Sequence, residues 1–257
     1  NDIPRSPLDT GAMERLRCLG PGTIEAPELR TTWIRGPSPP PDDGDCGLLL
    51  VLHSAGDTVR HCKFCADRLL PDGVPYRSNL DVVLVEADYA WEPAMFPTRL
   101  GGPPRKGRAY FRFDTVFNRL GERLLSANRL LDFLEDYLAK RRKCKVDFAG
   151  FSIGATMIWT ALLISKSRDL PCERAILLSP VLGDVWFATP AHITDRMKAI
   201  QFFLAWGEEE DNSLQEGKQL SEVLRGLSLQ LKRYPGGHAM TDPELEDARV
   251  FLAKGRQ

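Results

Sequence analysis

The stretch Ala149-Gly150-Phe151-Ser152-Ile153-Gly154-Ala155 decides the fold that this sequence predicts. It holds a G-x-S-x-G motif. A short apolar run at 144–149 precedes the motif and predicts a buried strand, and an apolar run at 155–164 follows it and predicts a helix packed on all sides. A sharp turn from strand to helix strains the central serine and exposes its hydroxyl, while the glycines prevent clashes of Cβ atoms across the turn. We therefore interpret Ser152 as the nucleophile of a hydrolase.

A serine nucleophile needs a histidine as its base, and the histidine needs a carboxylate that orients it. The chain has four histidines, and the order serine, acid, histidine leaves His192 and His238 as candidates. His238 follows a strand-like segment at 227–234 and two glycines, which allow the loop to aim the imidazole over the edge of the sheet. His192 precedes the candidate acids and has no strand before it. We predict His238 as the base.

The orienting acid is expected in the loop at 207–214, directly after the apolar strand predicted at 199–206. The usual spacing, a glycine, two residues and then the acid, selects Glu210. Asp211 lies one position later and begins an acid-x-x-aliphatic pattern that leads into the next helix. We favour Asp211 and keep Glu210 as the alternative.

Acyl transfer also needs backbone donors for the oxyanion that develops on the substrate. An apolar strand predicted at 47–52 ends in a loop that is suited to supply one of them. We predict the amides of Ala55 and Ile153 as the two donors, with the amide of Ser54 as the alternative to that of Ala55. His53 is expected to brace the loop rather than to take part in catalysis.

Three motifs resemble the phospholipase/carboxylesterase branch of the α/β-hydrolases, which includes the acyl-protein thioesterases. The family motif L-H-G-x-G-D-T is matched at 52–58, with Ser54 in place of the first glycine. The motif G-F-S-Q-G-[GA] is matched at 150–155, with Ile153 in place of glutamine, and an aromatic-Asp pair is matched at 110–114. The resemblance spans about residues 46–252. Both departures lie beside the predicted oxyanion donors, so they bear on substrate preference more than on fold.

The resemblance implies an α/β-hydrolase fold, with a doubly wound, mostly parallel sheet flanked by helices. Alternating strand and helix patterns agree with it: strands at 31–34 and 81–87, and an amphipathic helix at 120–138 with Glu122 and Arg123 on its exposed face. The first strand is expected to be antiparallel. We expect an irregular segment at 1–22 and a single domain at 23–257.

The implied function is that of a serine hydrolase, which cleaves carboxylic esters or thioesters through an acyl-enzyme with a Ser-His-Asp triad. The family members that it resembles are acyl-protein thioesterases (depalmitoylases), lysophospholipases and carboxylesterases, so an acylated protein or a lysophospholipid is an implied substrate and no cofactor is expected. Aromatic side chains in two variable loops are expected to line the acyl pocket, and the predicted substrate-binding residues are Ser54, Trp91, Phe96, Phe113 and Trp186. The alternative is a catalytically weak binding or receptor protein of the same fold.

Composition and cysteine usage narrow the class of protein. The formal charge is −1, so no basic field indicates a nucleic-acid partner. No apolar run approaches the ~20 residues of a membrane span, and no secretory leader is visible, although the chain does not begin with Met. The six scattered cysteines are typical of reduced, buried thiols in a cytoplasmic protein. Cys62 and Cys65 are expected on one face of a helix, and no metal site is predicted.

Overall fold

The structure is a computed structural model that describes residues 29–35, 46–70, 79–91, 107–111, 116–141, 143–165, 168–181, 193–210 and 220–254. Its strands are β1 (Arg30–Arg35), β2 (Cys46–Leu52), β3 (Asn79–Glu86), β4 (Tyr89–Trp91), β5 (Gly107–Ala109), β6 (Lys145–Phe151), β7 (Cys172–Leu178), β8 (Gln201–Gly207) and β9 (Ser228–Tyr234). Its helices are α1 (Val59–Leu69), α2 (Val116–Ala139), α3 (Ile153–Ile164), α4 (Asp195–Lys198) and α5 (Asp242–Ala253). The division into an irregular segment at 1–22 and one domain at 23–257 stays a prediction.

Seven strands form one sheet in the order β1-β3-β2-β6-β7-β8-β9, and β4 and β5 form a separate antiparallel pair. β1 pairs antiparallel with β3, and every other neighbouring pair in the large sheet is parallel. The central strands are continuous apolar runs because helices cover both faces of the sheet; β2 is buried along its whole length. The predicted mostly parallel α/β architecture, with an antiparallel first strand, is confirmed.

Helices α2 and α3 pack on one face of the sheet, and α1 and α5 pack on the other. Every residue of α3 from Ile153 to Leu163 is buried. A helix that is apolar on all sides needs neighbours on all sides, and α3 has the sheet on one side and α2 on the other. The predicted helix packed on all sides is therefore confirmed. Among the described residues, no helix combines the length and the apolar composition that a membrane span requires.

The prediction that Glu122 and Arg123 lie on the exposed face of the long helix, α2, is wrong. Glu122 is only 8% exposed and Arg123 is fully buried. The Nε of Arg123 donates to the Oγ1 of Thr160 in α3 at 2.6 Å, and the guanidinium carbon lies 5.9 Å from the ring centroid of Phe111. The periodicity of one helix shows its apolar stripe, but it does not show which further segments cover its polar side.

The cysteines that the structure describes are all buried free thiols. Cys62 and Cys65 lie on the same buried side of α1, as their spacing predicts. The thiol of Cys62 donates to the carbonyl of Val51 at 3.3 Å, so it packs against the sheet. Within the described ranges no group of three or more His, Cys, Asp or Glu side chains could hold a metal ion.

The order of the strands gathers their connecting loops at one edge of the sheet. β2, β6, β7 and β8 are parallel neighbours, and their registers place Leu52 opposite Gly150, and Leu178 opposite Phe151 and Ala205. The carboxyl ends of these four strands therefore lie side by side, which is where open α/β sheets place their sites.

Gly154 marks a contact without room for a side chain. A Cβ atom at this position would lie 2.5 Å from the carbonyl oxygen of Leu52 and 2.6 Å from that of His53. The first turn of α3 can therefore approach the end of β2 only with glycine. Gly121, in α2, is the opposite case, since a Cβ atom there would meet nothing within 4 Å.

We expect Gly154→Ala to lower the free energy of unfolding by about 2 kcal/mol, because two backbone carbonyls would have to move. Gly121→Ala is the matched control. It should raise the free energy of unfolding by about 0.5–1 kcal/mol, because alanine has less conformational freedom than glycine in the unfolded chain and therefore loses less entropy when the helix forms. Urea unfolding followed by circular dichroism measures both. Equal effects of the two substitutions would contradict the contact.

Candidate active site

Ser152 occupies a strained turn between β6 and α3. Its φ is 56° and its ψ is −121°, a conformation that non-glycine residues rarely adopt. The backbone N–H of Ser152 donates to the carbonyl of Leu178 at 2.8 Å, which anchors the turn to the neighbouring strand β7. Gly150 keeps the turn tight, since a Cβ atom there would lie 2.7 Å from the amide nitrogen of Ala155.

The hydroxyl of Ser152 does not cap its own helix. Serine at an N-cap usually accepts a hydrogen bond from the first turn, but the side chain of Ser152 makes no such bond. Its Oγ instead lies 2.8 Å from the Nε2 of His238. The turn thus frees the hydroxyl from the helix and directs it to an imidazole.

His238 lies in the loop after β9, as predicted. Its Nδ1 lies 2.7 Å from the Oε2 of Glu210, and the ring of Phe151 packs beside the imidazole with a centroid distance of 5.0 Å. Because a carboxylate only accepts hydrogen bonds, the Nδ1–H donates to Glu210 and the Nε2 is left to accept from Ser152. Both ring nitrogens of His238 therefore have a defined partner.

The carboxylate that contacts His238 is Glu210, the alternative, rather than Asp211, the favoured candidate. The chain turns back directly after β8, and the N–H of Glu210 donates to the carbonyl of Gly207 at 3.3 Å. This turn returns the Glu210 side chain to the end of its own strand, where its Oε1 accepts from the N–H of Gly207 at 2.7 Å. Asp211 lies outside the described residues. The spacing of three residues from the glycine was the better signal.

Three donors stabilise the charge of Glu210. Burial raises the pKa of this carboxyl, but hydrogen bonds from His238, from the Ser179 hydroxyl at 2.6 Å and from the Gly207 amide outweigh burial. The net result is that the pKa of Glu210 lies below its ordinary value. The carboxylate is therefore ionised at neutral pH, as an acid that orients an imidazole must be.

Ser179 contacts the Glu210 carboxylate, and sequence patterns do not reveal this contact. It follows β7 directly, has a φ of 44° and is fully buried. Its N–H donates to the carbonyl of Ala205 at 2.7 Å, which aims its hydroxyl at Glu210. The only signal in the sequence is its place at the end of a strand beside the nucleophile strand.

The predicted oxyanion donors lie on the two segments that meet at Gly154. Ile153 is the first residue of α3, where the backbone N–H has no partner within the helix and the helix dipole favours negative charge. Ala55 lies in a turn closed by a hydrogen bond from the N–H of Asp57 to the carbonyl of Ser54 at 3.3 Å. Ser54 itself is buried.

The turn that carries Ala55 is clamped by β5. The N–H of Gly56 donates to the carbonyl of Arg108, and the N–H of Arg108 donates to the carbonyl of Asp57, each at 3.0 Å. The Nε and Nη2 of Arg108 donate to the carbonyls of Ala87 and Asp88 after β3. One residue thus ties the turn to the end of the next strand.

His53 braces the same turn, as predicted. Its Nε2 accepts from the N–H of Ala87 at 3.1 Å, its Nδ1 lies 2.6 Å from the carbonyl of Ser54, and its backbone N–H donates to the Tyr110 hydroxyl. These contacts require the proton on Nδ1. Burial lowers the pKa of His53, which keeps the ring neutral.

The side chains of the other four predicted pocket residues lie outside the part of the chain that the structure describes. Trp91 ends β4, and its side chain is outside the described part of the chain. Phe96, Phe113 and Trp186 also lie outside the described residues. Their contribution to an acyl pocket stays a prediction.

Several solved structures share this architecture. Acyl-protein thioesterase 2 of Zea mays aligns with a TM-score of 0.61 at 20% identity, covering 88% of this chain and 98% of that chain. A carboxylesterase of Mesorhizobium loti aligns with a TM-score of 0.59 at 20% identity, covering 80% and 88%. A Bacillus cereus carboxylesterase gives 0.56 at 18% identity, covering 90% and 96%. The protein has the α/β-hydrolase fold. No protein-family model and no curated protein matches the sequence.

Helix α5 begins just after the His238 loop, and its first turn contains a buried acid, Glu244. Glu244 is 2% exposed, its Oε2 accepts from the N–H of Thr241 at 3.2 Å, and its own N–H donates to the Thr241 hydroxyl. The Oε1 of Glu244 is buried and has no hydrogen-bond partner. Burial raises the pKa of Glu244 to about 7; the Thr241 amide opposes this rise and the charge of Glu210 adds to it.

We expect Glu244→Gln to stabilise the protein above neutral pH. Between the ordinary pKa of 4.5 and the folded value of about 7, the unfolded chain loses a proton that the folded chain keeps, so this group lowers stability as pH rises. Glutamine keeps the capping box without the charge. The gain in unfolding free energy should be roughly 3 kcal/mol at pH 8 and near zero at pH 4.5.

Thermal or urea unfolding at the two pH values measures this difference. Glu222→Gln is the control. Because Glu222 is exposed, this substitution should change the free energy of unfolding by the same amount at both pH values. A Glu244→Gln effect that does not grow with pH would contradict the ionisation of a buried Glu244.

Proposed function

We propose that the protein is a serine hydrolase that cleaves carboxylic ester or thioester bonds. The observation that carries the proposal is the unbroken chain of hydrogen bonds from Ser152 Oγ to His238 Nε2 at 2.8 Å and from His238 Nδ1 to Glu210 at 2.7 Å. This chain of contacts supports the proposal, because acyl transfer needs a nucleophile, a base and an acid that orients the base. It stands at the carboxyl ends of parallel strands in an α/β-hydrolase fold.

In the first step His238 takes the proton of Ser152 while the serine oxygen attacks the carbonyl carbon of the substrate. Glu210 holds the imidazole in position and stabilises the imidazolium that forms. His238 then gives the proton to the leaving alcohol or thiol, which leaves an acyl-Ser152 ester. In the second step a water molecule, activated by the same imidazole, attacks that ester and releases the acid.

The oxyanion of each tetrahedral intermediate is proposed to bind between the amides of Ile153 and Ala55. Ile153 offers an N–H at a helix N-terminus, where negative charge is favoured. The turn of Ala55 is fixed by Arg108 and His53 before substrate arrives. Donors that are already in place need no reorganisation during the reaction, which is the source of their effect on rate.

The substrate class is proposed as a long-chain acyl ester or thioester, such as an acylated protein or a lysophospholipid, with a short-chain carboxylic ester as the second candidate. The resemblance of the 52–58 and 150–155 motifs to acyl-protein thioesterases supports the first candidate. Carboxylesterases among the proteins of similar fold support the second. The length of acyl chain that is cleaved fastest separates the two.

The first test is labelling with a fluorophosphonate probe, wild type beside Ser152→Ala, with p-nitrophenyl esters from acetyl to palmitoyl measured in parallel. We expect the probe to label the wild type but not Ser152→Ala, and ester hydrolysis to fall at least about 1,000-fold in that variant. Ser165→Ala is the control, because this serine ends α3 away from the turn. A folded wild type that takes no label would favour the binding-protein alternative.

The role of the acid is tested by Glu210→Gln beside Asp211→Asn. We expect Glu210→Gln to lower kcat by about 100-fold or more, because the amide can present its N–H to His238 and favour the wrong tautomer. Asp211→Asn should change kcat by less than about threefold, since the carboxylate that contacts His238 belongs to Glu210. Steady-state hydrolysis of one p-nitrophenyl ester suffices. The reverse order of the two effects would restore Asp211 as the acid.

A further inference from the structure

Two thiols face each other at the amino end of the sheet. Cys46 is the first residue of β2, and Cys144 directly precedes β6. Because Gly47 is paired with Lys145 in the parallel register, Cys46 and Cys144 are opposite each other one position earlier. Both side chains belong to the core cluster on the same face of the sheet. Their Sγ atoms are 2.7 Å apart.

We propose that Cys46 and Cys144 are a modification site, a dithiol that a low-molecular-mass disulfide such as oxidised glutathione converts to an intramolecular disulfide. Neighbouring strands lie about 4.8 Å apart, which is within the range of Cα separations of about 4.4–6.8 Å that disulfides adopt. The two Sγ atoms are already close to the ~2.05 Å of an S–S bond. The bond therefore forms by small side-chain rotations, without any change in strand pairing.

The other described cysteines lack such a partner position. Cys62 and Cys65 are on one helix at a spacing of three residues, and the Cys62 thiol donates to backbone carbonyls of β2 and β3. The Cys172 thiol donates to the carbonyl of Arg174 at 3.7 Å. Within the described ranges, Cys46 and Cys144 form the pair whose sulfur atoms touch.

A surface cleft lies beside one of the two cysteines. Cys144 lines a surface cleft of about 230 Å³ together with Arg141, Lys143 and Lys145. In the first exchange the Cys144 thiolate attacks one sulfur of oxidised glutathione, which releases one glutathione and leaves a mixed disulfide on Cys144. The Cys46 thiol then attacks the Cys144 sulfur and releases the second glutathione. Two protein thiols are oxidised, one disulfide is reduced, and both protons leave on the glutathione thiols.

Burial makes this site slow to react in the folded protein. Burial, and after it the contact with Cys46, raise the pKa of Cys144 to about 12, and the hydrogen bond with Tyr137 opposes this rise. Since the thiolate is the attacking species, exchange should speed up as pH rises and should be fastest while the chain refolds. The pair therefore responds to a sustained oxidising environment rather than to a brief oxidant pulse.

The bond would close a loop between positions 98 residues apart, and a loop of this length restricts the unfolded chain strongly. It also joins the two strands whose carboxyl ends carry Ala55 and Ser152. Since the pair lies at the opposite edge of the sheet, oxidation should stabilise the fold without changing the site.

The experiment uses the full chain in two arms. In one, the native protein is incubated with excess oxidised glutathione at mildly alkaline pH; in the other, reduced and denatured protein is refolded in a glutathione redox buffer. Each is quenched with acid, alkylated and digested with trypsin. We expect a linked pair of peptides, residues 36–60 with residues 144–145, and a midpoint of thermal unfolding at least about 3 °C above that of the reduced protein.

Two variants sharpen the test, and neither readout depends on enzymatic activity. Cys144→Ala should abolish both the linked peptides and the thermal shift. Cys172→Ala removes another buried thiol of the same core cluster and should keep both. Recovery of Cys46 and Cys144 as separately alkylated peptides in both arms would overturn the proposal, as would a disulfide that joins either of them to a different cysteine.

Discussion

The contact between the first turn of α3 and the end of β2 is the constraint on which the site depends. A Cβ atom at Gly154 would clash with the carbonyl oxygens of Leu52 and His53, so this position accepts only glycine. This approach brings the amide of Ile153, which follows the strained Ser152 with its φ of 56°, to the same edge as the turn of Ala55. A position without a side chain thus couples the proposed nucleophile to both proposed oxyanion donors.

On the other side of Ser152, groups at the ends of β7 and β8 stabilise the negative charge of Glu210. A buried carboxylate is costly unless donors surround it, and Glu210 has an imidazole, a hydroxyl and a backbone amide around it. The hydroxyl comes from Ser179, whose positive φ turns it toward the acid. Glu210 is therefore fixed in both charge and orientation, and it holds the imidazole of His238 in contact with Ser152.

Local patterns predict those parts of the site that local geometry determines. Ser152 follows from a strand, two glycines and a helix, and His238 follows from a strand and a Gly-Gly loop. The three-residue spacing from Gly207 indicated Glu210, and the turn closed by the bond from the Glu210 amide to Gly207 is the physical reason for that spacing. Arg123 is buried because α3 and Phe111 cover it. Such packing between distant segments is beyond a periodicity argument.

Strands β2 and β6 connect the two ends of the molecule through a single register. Their pairs run without a shift from Gly47 with Lys145 to Leu52 with Gly150. A slip of one residue would turn every side chain to the other face of the sheet, which would separate Cys46 from Cys144 and move Gly150 away from the oxyanion turn. The contact between the two thiols therefore exists only in the register that the site requires. A covalent bond at the amino ends would hold that register in place for the carboxyl ends, which carry the proposed nucleophile Ser152 and the proposed oxyanion donor Ala55.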